Sequence, residues 1–192
     1  GRARGGDRVL IVGFNAWHGD AAAAIVRNGR LVAALEEERF ARVKHVAGFP
    51  VQAIGACLRE AGATARDVDV WAVARGRRVH LAREAWCAIR QYRGTAARHA
   101  GLADTLARTF ALDADAVAGR LRFIEHHPAH LASAYYASGM GEAACCAIDG
   151  FGDFVSVSTG HGRGPRLDVL DRVYFPHSLG LLYSAFTYFT GF

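Results

Sequence analysis

Glu125-His126-His127-Pro128-Ala129-His130 places three imidazoles within five positions. The run lies where a short apolar strand, 121–125, gives way to a helix of small residues. Residues four apart share a helix face, so His126 and His130 can converge on one ion. Imidazole suits zinc, iron and nickel, and an added carboxylate with open positions suits non-haem iron or another divalent ion. Asp149 closes the next apolar stretch, 143–148, and is the carboxylate that would complete the set. An ionised carboxylate there is costly unless paired or metal-bound. The competing readings are a polar loop of satisfied histidines and a turn aspartate capping Gly150-Phe151-Gly152. Pro128 suits the first helical position, which makes His127 the expected cap.

Three further groups could do chemistry. His18-Gly19-Asp20 lies between the first two expected strands, and His18 could act as general acid or base. Arg39, Arg42, Lys44 and His45 follow three glutamates and could hold phosphate, against the plainer reading of a solvated charged face. Glycine-rich hairpin loops bring backbone N–H groups to nucleotide phosphates, which makes Gly150 and Gly152, with Asp20 on the first loop, candidate nucleotide contacts. Asp153 reads as facing solvent or a phosphate-bound magnesium.

The elements that must position these residues follow from hydrophobic period and turn chemistry. Strands are expected at 8–14, 21–27 and 31–35, with Asn28-Gly29 as the hairpin turn between the last two. A helix follows Pro50, its apolar positions Val51, Ile54 and Leu58 at helical spacing and Gly62 as its stop. A strand at 68–74, helices at 81–92 and 102–117, and a strand at 121–125 lead to the histidine run. After it come a helix at 128–138, an apolar strand at 143–148, a hairpin pair at 154–159 and 167–174, and a last helix at 178–189. The layout strand, loop with Gly and Asp, strand, Gly turn, strand occurs at 8–35 and again at 143–174. That duplication resembles the actin-like ATPase and sugar-kinase superfamily, a ribonuclease H-like α/β mixed sheet flanked by helices.

Composition bounds the rest. The 192 residues are 52% hydrophobic and 21% charged, enough for a sizeable core. A net charge of +5 suits an anionic small molecule better than nucleic acid. The four cysteines form no C-x-x-C pair, and Cys145 and Cys146 read as small buried hydrophobes. Such usage fits a reducing, cytoplasmic compartment. No segment approaches the roughly 18 unbroken apolar residues of a membrane span. Residues 1–7 read as a flexible leader. The apolar, aromatic stretch 181–192 reads as the end of a fragment whose tail packs on residues beyond it.

The motifs carry a family resemblance. His126-His127-Pro128-Ala129-His130-Leu131-Ala132-Ser133-Ala134-Tyr135-Tyr136, then Ile148-Asp149-Gly150-Phe151-Gly152-Asp153, then Phe175-Pro176-His177-Ser178-Leu179-Gly180-Leu181-Leu182-Tyr183 resemble the O-carbamoyltransferases of nodulation factors, cephalosporins and aminoglycosides. Asn15-Ala16-Trp17-His18-Gly19-Asp20 and the charged stretch from Glu36 to His45 look like the same family's N-terminal signatures. The resemblance implies that residues 8–192 are the first lobe of a carbamoyl-transfer domain. The second lobe, a further metal carboxylate and a carbamoyladenylate-forming domain would lie outside the chain. It implies an enzyme that moves a carbamoyl group from carbamoyladenylate, made from carbamoyl phosphate and ATP, to a hydroxyl of a small-molecule natural product. His126, His130 and Asp149 would then hold an iron-type divalent ion, His18 and Lys44 would sit at the transfer site, and Mg2+ could accompany ATP. Neither nucleic acid nor membrane is an expected partner. The rival readings are a tRNA threonylcarbamoyltransferase-like protein and a metal- and nucleotide-binding module without catalysis of its own.

Overall fold

A computed structural model describes residues 9–17, 19–76 and 101–191. They fall into two compact units, one holding the residues up to Ala74 and the segment ending at Phe123, the other Arg75, Gly76 and the residues from Ile124 onward.

The first unit is built on a five-stranded sheet. In chain order its elements are β1 (Leu10–Asn15), β2 (Ala22–Arg27), β3 (Arg30–Glu36), α1 (Glu38–Ala41), α2 (Val51–Glu60), β4 (Val70–Ala74), α3 (Leu102–Phe110), α4 (Ala114–Arg120) and β5 (Leu121–Ile124). The strand order is β3-β2-β1-β4-β5. β1 to β3 form an antiparallel meander, and β4 lies parallel to β1 with Val12 opposite Trp71. This mixed sheet flanked by helices is the α/β class expected from the sequence. The Asn28-Gly29 turn has φ of 51° and 77°, the left-handed pair that a tight two-residue hairpin requires. Alternate residues of β1 (Leu10, Val12, Phe14) are buried against Ile54, Cys57 and Leu58 of α2, with Trp71 and Val73 of β4 in the same core.

Two local rules decide the helices here. α2 starts after Pro50, which offers no side-chain cap. The buried Glu37 supplies one instead, accepting from the backbone N–H of Ala53 at 2.8 Å and of Gln52 at 3.2 Å. The helix expected over 102–117 is two helices. Ala111 adopts φ 51°, and Asp113 caps the second helix by accepting from Ala116 N–H at 2.8 Å. The apolar period runs through both pieces, which hides the break.

Among its described residues the second unit is a three-stranded antiparallel sheet in the order β6-β7-β8, with two helices. Its elements are α5 (His126–Ser138), β6 (Glu142–Gly152), β7 (Val155–Arg163), β8 (Arg166–Tyr174) and α6 (Leu179–Thr190). The repeated meander expected from the sequence is therefore present in both units. Ser156, Ser158, Gly160 and Gly162 make a buried face of small residues on β7. Large side chains of α5 nest there: a Cβ on Gly162 would lie 2.5 Å from the Tyr135 ring, and one on Gly160 3.1 Å from Leu131.

β6 departs from its expected burial. Cys145 is half-buried, but Cys146 is exposed and Ile148 is 59% exposed, because α5 covers the face that pairs Ala143 and Cys145 with Gly162 and Gly160 and not the alternate one. α6 is capped by Ser178, which accepts from Leu181 N–H at 3.1 Å, and buries none of its residues. Tyr183, Phe186, Tyr188 and Phe189 are all exposed on it. No helix among the described residues is long and apolar enough to cross a membrane. The leader at 1–7, the helix expected at 81–92, His18 and Cys87 lie outside the described residues.

Candidate metal centre

α5 begins at His126 with Glu125 as N-cap, two residues before the proline. His127 is therefore not the cap expected from the sequence but the second residue of the helix. Pro128 is tolerated in the first turn because an N–H there has no intrahelical partner to lose. Ala129 N–H closes the turn onto Glu125 C=O at 3.1 Å. Glu125 itself is forked by Arg172 of β8, Oε1 accepting from Nε at 3.1 Å and Oε2 from the terminal nitrogen at 3.0 Å.

The helical spacing turns His126 and His130 toward each other, with ring centroids 4.6 Å apart at 74°. Their Nε2 atoms are 2.9 Å apart. Asp149 Oδ2 lies 2.9 Å from His126 Nε2 and 3.8 Å from His130 Nε2. All three ligand atoms fall within 4.8 Å of one another.

Asp149 reaches this position through an irregularity of β6. The strand does not stop at Ile148: it pairs Ile148 with Val157 and resumes with Gly152 opposite Val155, so residues 149–151 face one residue of β7. A bulge of this kind re-aims a side chain, and such features concentrate near functional sites. Gly150 N–H donates to Asp149 Oδ1 at 2.6 Å, and the Ser178 hydroxyl reaches the Asp149 and Gly150 carbonyls at 3.1 and 2.6 Å. The Asp149 carboxyl is held down to about 2, first by the His126 hydrogen bond and against the opposing effect of burial, with the Gly150 N–H and the two imidazoles assisting. Burial and the neighbouring His126 push the His130 imidazole below the usual histidine range, toward the neutral form a metal requires.

The donor set fits a divalent ion. His126 Nε2 meets a carboxylate oxygen and a second imidazole nitrogen, each at 2.9 Å. A ring nitrogen carries one proton or one lone pair, so no neutral tautomer serves both neighbours with two well-aligned bonds. A cation satisfies all three groups together. Tetrahedral ligands at about 2.1 Å from a metal stand roughly 3.4 Å apart, inside the 2.9–3.8 Å spread of these atoms.

His127 points elsewhere. It is fully buried, and neither ring nitrogen has a hydrogen-bond partner of good geometry. Burial holds its imidazole below the usual range, outweighing the backbone of Val155, which favours the proton.

Of the proposed nucleotide contacts, Gly152 packs directly against the His126 ring, and Gly150 lies beside Asp149 and Ser178. Asp20 and Lys44 belong to the first unit, on loops joined by two backbone bonds, Trp17 N–H to Gly48 C=O at 3.0 Å and Ala21 N–H to Val46 C=O at 2.8 Å. Asp20 Oδ1 is 2.9 Å from His45 Nδ1, and Lys44 Nζ is 2.7 Å from Glu38 Oε1. The sequence reading did not single out Ser178, or Glu125 with Arg172. Ser178 two residues after a proline and just ahead of an apolar run is a helix-cap signal; the Glu125–Arg172 pair spans the fold and leaves no local signal.

The pattern of a family described as "Carbamoyltransferase N-terminus" matches residues 10–192. The uncharacterized protein sll1178 of Synechocystis sp. is 39% identical over 95% of the chain and 32% of its own length. Nodulation protein NolNO of Sinorhizobium fredii is 34% identical over 88% of the chain and 25% of its own length. The chain thus spans about a third and a quarter of these two relatives. Among solved structures, YeaZ from Pseudomonas aeruginosa aligns at 17% identity over 88% of the chain and 72% of its own, with a TM-score of 0.43. The Ppx/GppA phosphatase of Aquifex aeolicus aligns at 14% identity over 93% and 55%, with a TM-score of 0.41.

Proposed function

The chain belongs to the carbamoyltransferase N-terminus family, and from that premise we propose that it supplies the metal-binding part of an enzyme that carbamoylates a hydroxyl of a small-molecule natural product. The observation that carries this reading is the convergence of His126, His130 and Asp149 within 4.8 Å. The donor is carbamoyladenylate, made from carbamoyl phosphate and ATP. The acceptor oxygen bonds to the carbamoyl carbon as the bond from that carbon to the phosphate oxygen breaks. The acceptor proton passes to a base, and AMP leaves.

His126 and His130, as neutral imidazoles, and Asp149, as a carboxylate, would hold a divalent ion, iron(II) in the family reading. When bound, such an ion supplies Lewis-acid charge to a carbamoyl or phosphoryl oxygen and lowers the pKa of a bound hydroxyl. Asp149 stays ionised across the working pH range and keeps one negative charge in the ligand set. His18 is the candidate base. Lys44 is the candidate partner of the departing phosphate; it is exposed and meets an anion by exchanging Glu38 for it.

A second reading has its own support. The chain spans about a quarter to a third of its relatives and brings three ligands together, as suits a metal- and nucleotide-binding module that acts only with the rest of such a protein.

Metal analysis of the purified protein beside His126→Ala and His130→Ala tests the centre: both substitutions lower the bound metal, and unchanged content in both rejects it. Incubation of the chain joined to the second lobe and carbamoyladenylate-forming domain, with ATP, carbamoyl phosphate and a panel of alcohols, tests the reaction. AMP and a carbamoylated alcohol are the expected products; metal binding without them favours the module.

A further inference from the structure

We infer that Asp153 is the positioning residue of the metal centre: it holds the ligand-bearing helix to the same hairpin that carries Asp149. The inference rests on the metal reading above and deepens it.

Asp153 occupies the turn between β6 and β7. Its φ is 51° and that of Phe154 is 64°, two consecutive non-glycine residues in the left-handed region. Such backbone persists where its surroundings over-determine it. The turn closes the hairpin at Gly152 opposite Val155, and it aims the Asp153 carboxylate at two backbone donors. Its Oδ2 accepts from His126 N–H at 2.9 Å and from Gly76 N–H at 2.7 Å.

The first bond matters because of where it lands. The opening N–H groups of a helix have no intrahelical partner and are usually satisfied by the N-cap side chain. In α5 the N-cap is Glu125, whose side chain makes no capping bond and is engaged by Arg172 instead. The cap comes from Asp153, 27 residues further along the chain. A carboxylate at this end also suits the positive end of the helix dipole.

His126 is the first residue of the helix, and His130 follows one turn later. A slip or rotation of the helix start moves both imidazoles against Asp149. Asp149 lies four residues before Asp153 on the same hairpin, so one short segment fixes the carboxylate ligand directly and the two imidazoles through the helix backbone. Asp153 is outside the converging ligand set, and its Oδ2 is committed to two N–H donors.

The test is direct titration of the purified protein with Co2+ and Zn2+, with the visible Co2+ spectrum as the second readout. Outer partners of metal ligands are worth about 10–100-fold in affinity, and Asp153→Ala is expected to lose that much and alter the Co2+ bands. Asp153→Asn keeps a carbonyl acceptor without the charge and is expected to lose roughly threefold to tenfold. Unchanged affinity and spectrum in folded Asp153→Ala overturn the inference. Should that variant fail to fold, Asp153→Asn decides: weaker binding supports the inference, and wild-type binding overturns it. His130→Ala and Asp149→Ala separate the two levels. If wild-type protein binds neither ion, or these two variants bind as well as wild type, the metal reading itself fails and takes Asp153's role with it.

Discussion

The His126 imidazole lies against the backbone of Gly152 so closely that a Cβ at Gly152 would overlap the ring. The ring of a candidate ligand and the strand beneath it are therefore in direct contact, and residue 152 must lack a side chain. Gly152→Ala is expected to push the ring off Asp149 and weaken Zn2+ or Co2+ binding about tenfold or more, since overpacking of a close contact costs about 1–3 kcal/mol. Metal titration beside a circular dichroism spectrum checks this; full affinity with intact secondary structure contradicts it.

Asp149 gives a pH signature in the metal-free protein. Its folded pKa, about 2, lies below the ordinary carboxylate value. The stability it contributes is thus fully present above about 3.9 and is lost as pH falls through about 2. Asp149→Asn should lower urea stability of the apo protein near neutrality, and the gap to wild type should shrink between pH 4 and pH 2. A gap independent of pH would show that the carboxylate is not preferentially ionised in the fold.

His127 acts in the same direction at higher pH. Burial lowers its pKa, so the unfolded chain binds this proton more readily than the folded one. Stability from the neutral form is complete above the unfolded value of about 6.5 and declines as pH falls below it. His127→Leu removes that slope and two buried nitrogens without a well-formed hydrogen bond. The variant should match or exceed wild type at pH 5 and compare less favourably at pH 8, read from thermal midpoints.

Glu37 is a second carboxylate acting as a cap at a distance. Glu37→Ala leaves the Gln52 and Ala53 N–H groups without their acceptor. Losing a cap and exposing buried donors costs about 1–3 kcal/mol. Chemical denaturation should report that loss, and Glu37→Gln should recover part of it.

The convergence of His126, His130 and Asp149 was legible because its signal is local. His126 and His130 are one helical turn apart, and Asp149 follows an apolar strand at a glycine. The meander of β1 to β3 was legible for the same reason, since Asn28-Gly29 announces its own turn. The bulge of residues 149–151 was not, because it exists only in the register of β6 against β7. Asp153 was misread for a related cause: its partners, His126 and Gly76, are 27 and 77 residues away. The break between α3 and α4 escaped because Ala111 is an unusual residue for a left-handed cap. Placement of side chains by period 3.6 or 2 survives; placement by tertiary contact does not.

The bareness of α6 has a consequence for hydrogen exchange. The helix is pinned at its start by Ser178 and by Gly180, whose missing Cβ lets it rest on the Asp149–Gly150 backbone, yet it buries no side chain. Local opening is cheap where little apolar contact is lost. Its amides should exchange faster than those of α2, whose Ile54 and Cys57 are fully enclosed, with protection fading from the Ser178 end toward Thr190. Any surface that settles on Tyr183, Phe186 and Phe189 would slow that exchange, so α6 serves as a built-in reporter of its own covering.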